Sequence, residues 1–156
     1  MNQIQIRTAN LEDLKILLSF EQGIIEAERP FDETLKLGQI SYYDIRQMIL
    51  ESQTEVAVAL INNKIVGSGY AKIIEAKPYY TFEKYAYLGF MYTDYDFRGL
   101  GINSNIVEYL KNWCISQNVL EMRLDVYETN LSAVKAYEKY GFKKDMVNMR
   151  MPIKIK

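Results

Sequence analysis

The sequence contains no histidine and a single cysteine, Cys114, in 156 residues. Without histidine there is no Ser-His-Asp or Cys-His nucleophile system, and the usual zinc sites are excluded. With one cysteine no intramolecular disulfide can form, and a cytoplasmic location is the expectation. Cys114 falls inside a helical pattern, where a buried packing role is expected. Carboxylates at metal-ligand spacing are also missing, so no metal is expected. Proton transfer must then use Tyr, Glu, Asp, Lys, water or backbone groups. No apolar run approaches the ~18 residues of a membrane helix. The start, from Met1 to Leu14, has no apolar stretch behind a basic end, which predicts no secretory leader. Nineteen Lys and Arg against twenty Asp and Glu leave a net charge of −1, so no partnership with nucleic acid or an acidic membrane is expected.

What remains is the profile of a soluble globular protein, 49% apolar and 25% charged. A chain of this length buries roughly two thirds of its unfolded surface, enough for one core. The alternation from Gln3 to Arg7 predicts a short strand. Asn10 stands as an N-cap before Leu11, Leu14, Leu17 and Leu18 at helical spacing. That helix is expected to break or bend at Gly23, and Pro30 ends its pattern. Residues 31–40 read as a loop, and Ser41 opens a second helix carrying Ile45, Met48, Ile49 and Leu50. Strands are predicted over Glu55–Ile61 and Lys64–Glu75, joined by a hairpin turn at Asn62-Asn63. Gly67 and Gly69 mark a bulge or a close backbone approach. Lys77 to Tyr80 form a turn, and Tyr85–Thr93 is an aromatic strand. A helix over Ile102–Gln117, a strand over Met122–Val126, a helix over Leu131–Tyr140 and a last strand over Phe142–Pro152 complete the chain. The order β-α-α-β-β-β-α-β-α-β predicts one α/β (α+β) domain spanning residues 1–156, a central mixed sheet of about six to seven strands flanked by about four helices.

Two segments carry chemistry. In the first, Phe90 to Ser104, a strand ends, a glycine turn follows and a helix begins. The first amides of a helix have no intrahelical partners, and with the helix dipole they form a site for an anion such as phosphate. Gly99 and Gly101 permit unusual backbone angles and a close approach, and Arg98 adds a positive charge. The segment is not a P-loop, because no Gly-Lys-Ser/Thr closes it, and Ser104 stands where a dinucleotide fingerprint has its third glycine. A plain strand-to-helix turn is the other use of the same residues. The second segment runs from Leu124 to Phe142 and holds Asn130, Ala133, Tyr137, Gly141 and Phe142 on one strand-loop-helix stretch.

Taken together, the two segments resemble the GNAT superfamily of N-acetyltransferases. Its pyrophosphate motif, Arg/Gln-x-x-Gly-x-Gly/Ala, is matched from Arg98 through Gly101 and Ile102 except at its last position, where Asn103 replaces a small residue. Its later motif, Asn-x-x-Ala-x-x-x-Tyr-x-x-x-Gly-Phe, is matched in full from Asn130 to Phe142. The segments follow one another at the family's separation, and the order of elements agrees along the chain.

The resemblance implies acetyl-CoA as co-substrate. The amides of Arg98, Gly99, Leu100, Gly101, Ile102, Asn103 and Ser104 would hold its pyrophosphate. Backbone groups of Met91 and Thr93 would pair with the pantetheine arm, Asn130 would contact that arm, and Ser132 and Ala133 would pack near it. Tyr137 corresponds to the general acid that protonates the departing thiolate; a phenol of pKa ~10 is protonated at neutral pH and suits this task. A core aromatic is the plainer role for the same ring. The amine attacks the thioester directly, so position and an oxyanion donor, the Met91 amide, do most of the work. An alkyl amine of pKa ~10 is about 0.1% neutral at pH 7, a deficit of roughly 4 kcal/mol that a base must offset.

The candidates for that base are Glu26, Glu28, Tyr85, Tyr87, Tyr92 and Asp94, with Glu26, Glu28 and Tyr87 taken as acceptor-side residues; a solvated surface role is the alternative for each carboxylate. Tyr79, Tyr80, Tyr85 and Tyr87 around one hairpin make an acceptor wall, or packing and a homodimer contact. The acceptor is a primary amine of a small molecule or of a peptide. A catalytically silent acyl-CoA-binding module is the competing reading, since Asn103 departs from the motif and no base is evident. A purely structural interaction domain is a third.

Overall fold

The computed structural model describes residues 3–155. They divide after Asp125 into two compact units. In the first, β1 (Gln5–Thr8), β2 (Thr54–Ile61), β3 (Lys64–Glu75), β4 (Lys84–Thr93) and β5 (Met122–Arg123) form one sheet in the order β1-β2-β3-β4-β5. The first three pairings are antiparallel and β4–β5 is parallel. Three helices belong to this unit: α1 (Leu14–Glu28), α2 (Ile45–Leu50) and α3 (Ile102–Ser116). The second unit holds α4 (Leu131–Tyr140). Among the described residues, no helix is long and apolar enough to cross a membrane.

Local chemistry explains most boundaries. Asn10 caps the first turn by accepting from the Glu12 amide, and Asp13 returns a bond to the Asn10 amide at 2.9 Å, a reciprocal capping box. Asn62 and Asn63 take φ of +50° and +63°, the left-handed pair that turns a two-residue hairpin with the twist of its strands. α1 turns Leu17, Phe20, Ile24 and Ile25 inward, where Leu17, Phe20 and Ile24 join Ile45 and Met48 of α2 and Val56, Val58, Tyr70 and Phe90 of the sheet. α3 covers the other face with Ile102, Ile106, Val107, Leu110 and Cys114. Gly67 and Gly69 are what let it close in: a β-carbon on them would lie 2.8 Å from Ile102 Cγ2 and 2.7 Å from Ile106 Cγ2. Burial pushes the Cys114 thiol up to about 11, which suits a packing role.

Several expectations are corrected. The first helix does not break at Gly23: α1 runs through it to Glu28, and the ring of Tyr92 packs against that position. Asp44, not Ser41, opens α2, accepting from the Gln47 amide at 3.0 Å. The sheet has five strands, not six to seven. β5 stops at Arg123, since only Met122 and Arg123 pair with β4, opposite Ala86 and Tyr87. The last strand, over Phe142–Pro152, is not formed. Val147, Met149 and Met151 do alternate with polar residues, but a strand exists only by exchanging backbone hydrogen bonds. No described strand pairs with this segment, and those three side chains are 70%, 88% and 80% exposed.

Candidate active site

β4 is irregular where it matters. Ser68 pairs with Tyr92 and Tyr70 with Gly89, so Gly69 alone faces both Phe90 and Met91. The extra residue makes a bulge, and Phe90 takes φ +56° while only 1% exposed. That conformation disfavours a side-chain-bearing residue by roughly 1–2 kcal/mol. On the outer side of β4, β5 pairs no further than Tyr87. From Leu88 to Thr93 no described strand lies along that flank, which leaves a slot for an extended chain with its own backbone donors and acceptors.

The strand then turns into α3. Asp94 accepts from the Asp96 amide at 3.2 Å and caps a single 3-10 turn, Tyr95–Phe97. Arg98 follows, its guanidinium 5.2 Å from the Tyr95 ring centre. Gly99 and Gly101 both take φ +78°. A β-carbon on Gly99 would meet nothing within 4 Å, and on Gly101 only Asn105 Nδ2 at 3.8 Å. These glycines answer a backbone demand rather than a lack of room. Asn105 Nδ2 donates to the Gly101 carbonyl at 2.8 Å, and the Asn105 amide is the first to bond back to it, at 3.1 Å. The amides of Ile102, Asn103 and Ser104 thus precede the hydrogen-bonded turns of a 15-residue helix, where the dipole favours an anion. Ile102 turns its side chain into the core, Asn103 is half-buried, and Arg98, Gly99, Leu100, Gly101 and Ser104 are exposed. The glycine turn thus opens α3 beside a stretch of β4 along which no described strand lies.

A tyrosine cluster lies on the opposite side of the bulge from α3. Rings of Tyr42 and Tyr43 are 5.8 Å apart, Tyr43 and Tyr70 5.6 Å, Tyr70 and Tyr87 6.4 Å, and Tyr43 and Phe90 5.4 Å. The Tyr87 hydroxyl donates to Asp125 Oδ2 at 3.0 Å. Burial pushes the phenols of Tyr43, Tyr70 and Tyr87 up, and the charge of Asp125 adds to the rise at Tyr70 and Tyr87. Glu28 is half-buried; burial raises its carboxyl above the ordinary range, against a hydrogen bond from Tyr42 that lowers it. Glu26 is exposed and paired with Arg29 at 2.8 Å.

The remaining base candidates have other partners. Tyr92 packs on Phe20, ring centres 4.5 Å apart, and Asp94 pairs with Lys64 at 3.4 Å. The hairpin tyrosines do not form one wall. The rings of Tyr80, Phe82 and Tyr85 surround Arg123 at 5.1, 5.3 and 4.8 Å, whereas Tyr87 belongs to the other cluster.

In the second unit, Asn130 caps α4 by accepting from the Ala133 amide at 3.3 Å. Ser132 is exposed, and Ala133 and Tyr137 are half-buried. The Tyr137 ring meets Phe142 edge-on, centres 5.7 Å apart. Gly141, at φ +128°, ends the helix and lets the Phe142 amide donate to the Tyr137 carbonyl at 3.0 Å, the return bond of a glycine C-cap.

Sequence reasoning missed Glu21, Tyr43, Ser68, Tyr70 and Asp125. Only Glu21 carried a signal: it falls on the stripe Leu17, Phe20, Ile24, Ile25, a carboxylate at a core position of an amphipathic helix. The others are brought together by strand pairing across distant parts of the chain.

The Acetyltransferase (GNAT) family model matches residues 21–142. No curated protein sequence matches. Among solved structures, a predicted acetyltransferase from Clostridium acetobutylicum with acetyl-CoA is 21% identical, with 96% of each chain covered and a TM-score of 0.71. The BH1408 protein of Bacillus halodurans, as a tetramutant, is 20% identical over 96% of this chain and 99% of that one, with a TM-score of 0.85. An aminoglycoside acetyltransferase from an uncultured soil metagenomic sample, in complex with trehalose, is 21% identical over 97% of each chain, with a TM-score of 0.69. These likenesses establish the fold, and the family match spans both the bulged strand with its glycine turn and the segment from Asn130 to Phe142. The chain belongs to the acetyltransferase (GNAT) family.

Proposed function

We propose that this chain transfers the acetyl group of acetyl-CoA to the primary amine of a small molecule, by direct attack on the thioester. The observation that carries the reading is the junction of β4 and α3, where two left-handed glycines open a 15-residue helix beside a stretch of β4 with no described strand along it. Acetyl-CoA supplies an activated acyl group on a thiol leaving group. Arg98 to Ser104 hold the pyrophosphate through backbone N–H groups, with the Arg98 charge nearby. Met91 and Thr93 pair through their backbone with the arm, and Asn130, Ser132 and Ala133 line it. The Met91 amide donates to the thioester oxygen, where charge develops in the transition state. Tyr137 donates its proton to the sulfur as it leaves.

On the acceptor side the reading narrows to Glu28 and Tyr87. Glu26 is the less suited carboxylate, being exposed and paired with Arg29 at 2.8 Å. A carboxyl raised by burial is better matched to taking a proton from an ammonium than an ordinary one, because a smaller pKa gap means a smaller uphill step. The aminoglycoside acetyltransferase among the structural neighbours favours a small-molecule amine over a peptide. Direct attack needs no metal. The test is release of free CoA thiol from acetyl-CoA across a panel of small amines, aminoglycosides and peptides. Turnover with one class of small amine is expected. Tight acetyl-CoA binding with no turnover on any amine would leave only a binding module.

A further inference from the structure

Phe90 has both of its backbone polar groups held by side chains. Its N–H donates to the Tyr43 hydroxyl oxygen at 3.3 Å, and its carbonyl accepts from Ser68 Oγ at 3.0 Å. Ser68 is fully buried. Tyr43 is in turn fixed by its own backbone. Glu21 Oε1, on a side chain 1% exposed, accepts from the Tyr43 amide at 2.8 Å, the Tyr42 amide at 2.7 Å and Ser41 Oγ at 3.1 Å. A buried acid on α1 thus hangs the segment before α2, and that segment reaches the bulge of β4. The next residue, Met91, is pinned by its side chain, since a β-carbon on Gly69 would lie 2.6 Å from Met91 Sδ.

A left-handed backbone is disfavoured for Phe, and the two side-chain hydrogen bonds oppose its relaxation. Without them Phe90 would relax toward an extended conformation. The plane of the following peptide, which carries the Met91 N–H, would turn with it.

We propose that Tyr43, Ser68 and Glu21 are positioning residues for acetyl transfer: they hold Phe90 left-handed so that the Met91 N–H points at the thioester oxygen. The proposal rests on the reading of the Met91 amide as the oxyanion donor. Burial pushes the Tyr43 phenol above its ordinary value, so its hydroxyl keeps its proton at neutral pH.

The test is isotope-edited infrared spectroscopy of acetyl-CoA labelled with carbon-13 at the thioester carbonyl, bound to the full chain without acceptor. In the wild-type protein the carbonyl band is expected below its position in buffer. Tyr43→Phe and Ser68→Ala should return it at least halfway, while the Kd for acetyl-CoA changes by less than about threefold. With any amine that wild type accepts, kcat should fall about 10- to 100-fold at unchanged KM for acetyl-CoA, less than the 10²–10³ for deleting a donor outright. Tyr109→Phe is the control: it removes a hydroxyl bonded to Thr8 and Glu55 and should leave the band in place. A folded Tyr43→Phe protein with the wild-type band and kcat overturns the proposal, as does an equal shift in Tyr109→Phe. If Tyr43→Phe does not fold, Ser68→Ala decides by the same readout. A wild-type band already at the buffer position overturns the Met91 reading itself, before any substitution is made.

Discussion

The ring of Tyr92 fills the space that a β-carbon on Gly23 would need; that atom would lie 2.6 Å from Cε2 of the ring. α1 and β4 are thereby brought together at the level of the bulge. Gly23→Ala sets two effects against each other. Alanine favours a helix interior by about 1 kcal/mol, but overpacking a tight contact costs typically 1–3 kcal/mol. A net loss of stability is expected, read as a lower midpoint in denaturant unfolding. A stabilised Gly23→Ala protein would mean that the ring yields freely.

Gly101→Glu should weaken acetyl-CoA binding by at least about 100-fold, some 3 kcal/mol. The substitution places a negative charge among the amides of Ile102 to Ser104 and a side chain at φ +78°. Titration calorimetry on the folded variant reads it directly. Unchanged affinity would move the pyrophosphate site elsewhere.

Tyr137→Phe should lower kcat about 100-fold, the low end of general acid catalysis, because a thiolate is a fair leaving group. The ring and its edge-on contact with Phe142 at 5.7 Å remain, so acetyl-CoA affinity and melting temperature should change little. An interaction made chiefly in the transition state lowers kcat and kcat/KM together. Wild-type kcat, under conditions where chemistry limits the rate, would leave Tyr137 a packing residue.

Acid should weaken the fold partly through one pair. Arg7 Nη1 and Nη2 donate to Asp13 at 2.7 and 2.9 Å, and these bonds hold the Asp13 carboxyl below the usual range. A depressed carboxyl contributes its stability in full above its unfolded pKa of about 3.9 and loses it as pH falls through the lower folded value. Asp13→Asn should therefore destabilise the protein by about 1–2 kcal/mol at neutral pH, with the gap closing as pH falls below about 4. Unfolding curves at a series of pH values check this; a gap constant with pH would exclude the linkage.

The readable parts of this chain are those with local signals at both ends. β3 runs over Lys64–Glu75 and α4 over Leu131–Tyr140, as the residue pattern predicts. Each is bounded by neighbouring residues in special conformations, Asn62-Asn63 before β3 and Gly141 after α4. The glycine turn before α3 was legible for the same reason, its glycines lying next to the helix they open. The tyrosine cluster was not. Tyr43 meets Phe90 across 47 residues and Tyr87 meets Asp125 across 38, and no periodicity encodes such pairs. β5 and the segment after Phe142 fail for a related reason: alternation states a preference for strand, and pairing decides it.

The bulge has a place in the order of synthesis. Glu21, Tyr43, Ser68 and Gly69 all precede Phe90 in the chain, and the antiparallel strands β2, β3 and β4 are consecutive neighbours. Closing them takes short loops, which form early and cheaply. At about 5–20 residues per second, the ribosome delivers every contact of the bulge, and α3 after it, before it reaches the helix that carries Tyr137. The strand read as presenting the Met91 N–H thus has all its clamping partners in hand while the helix read as protonating the sulfur is still being made.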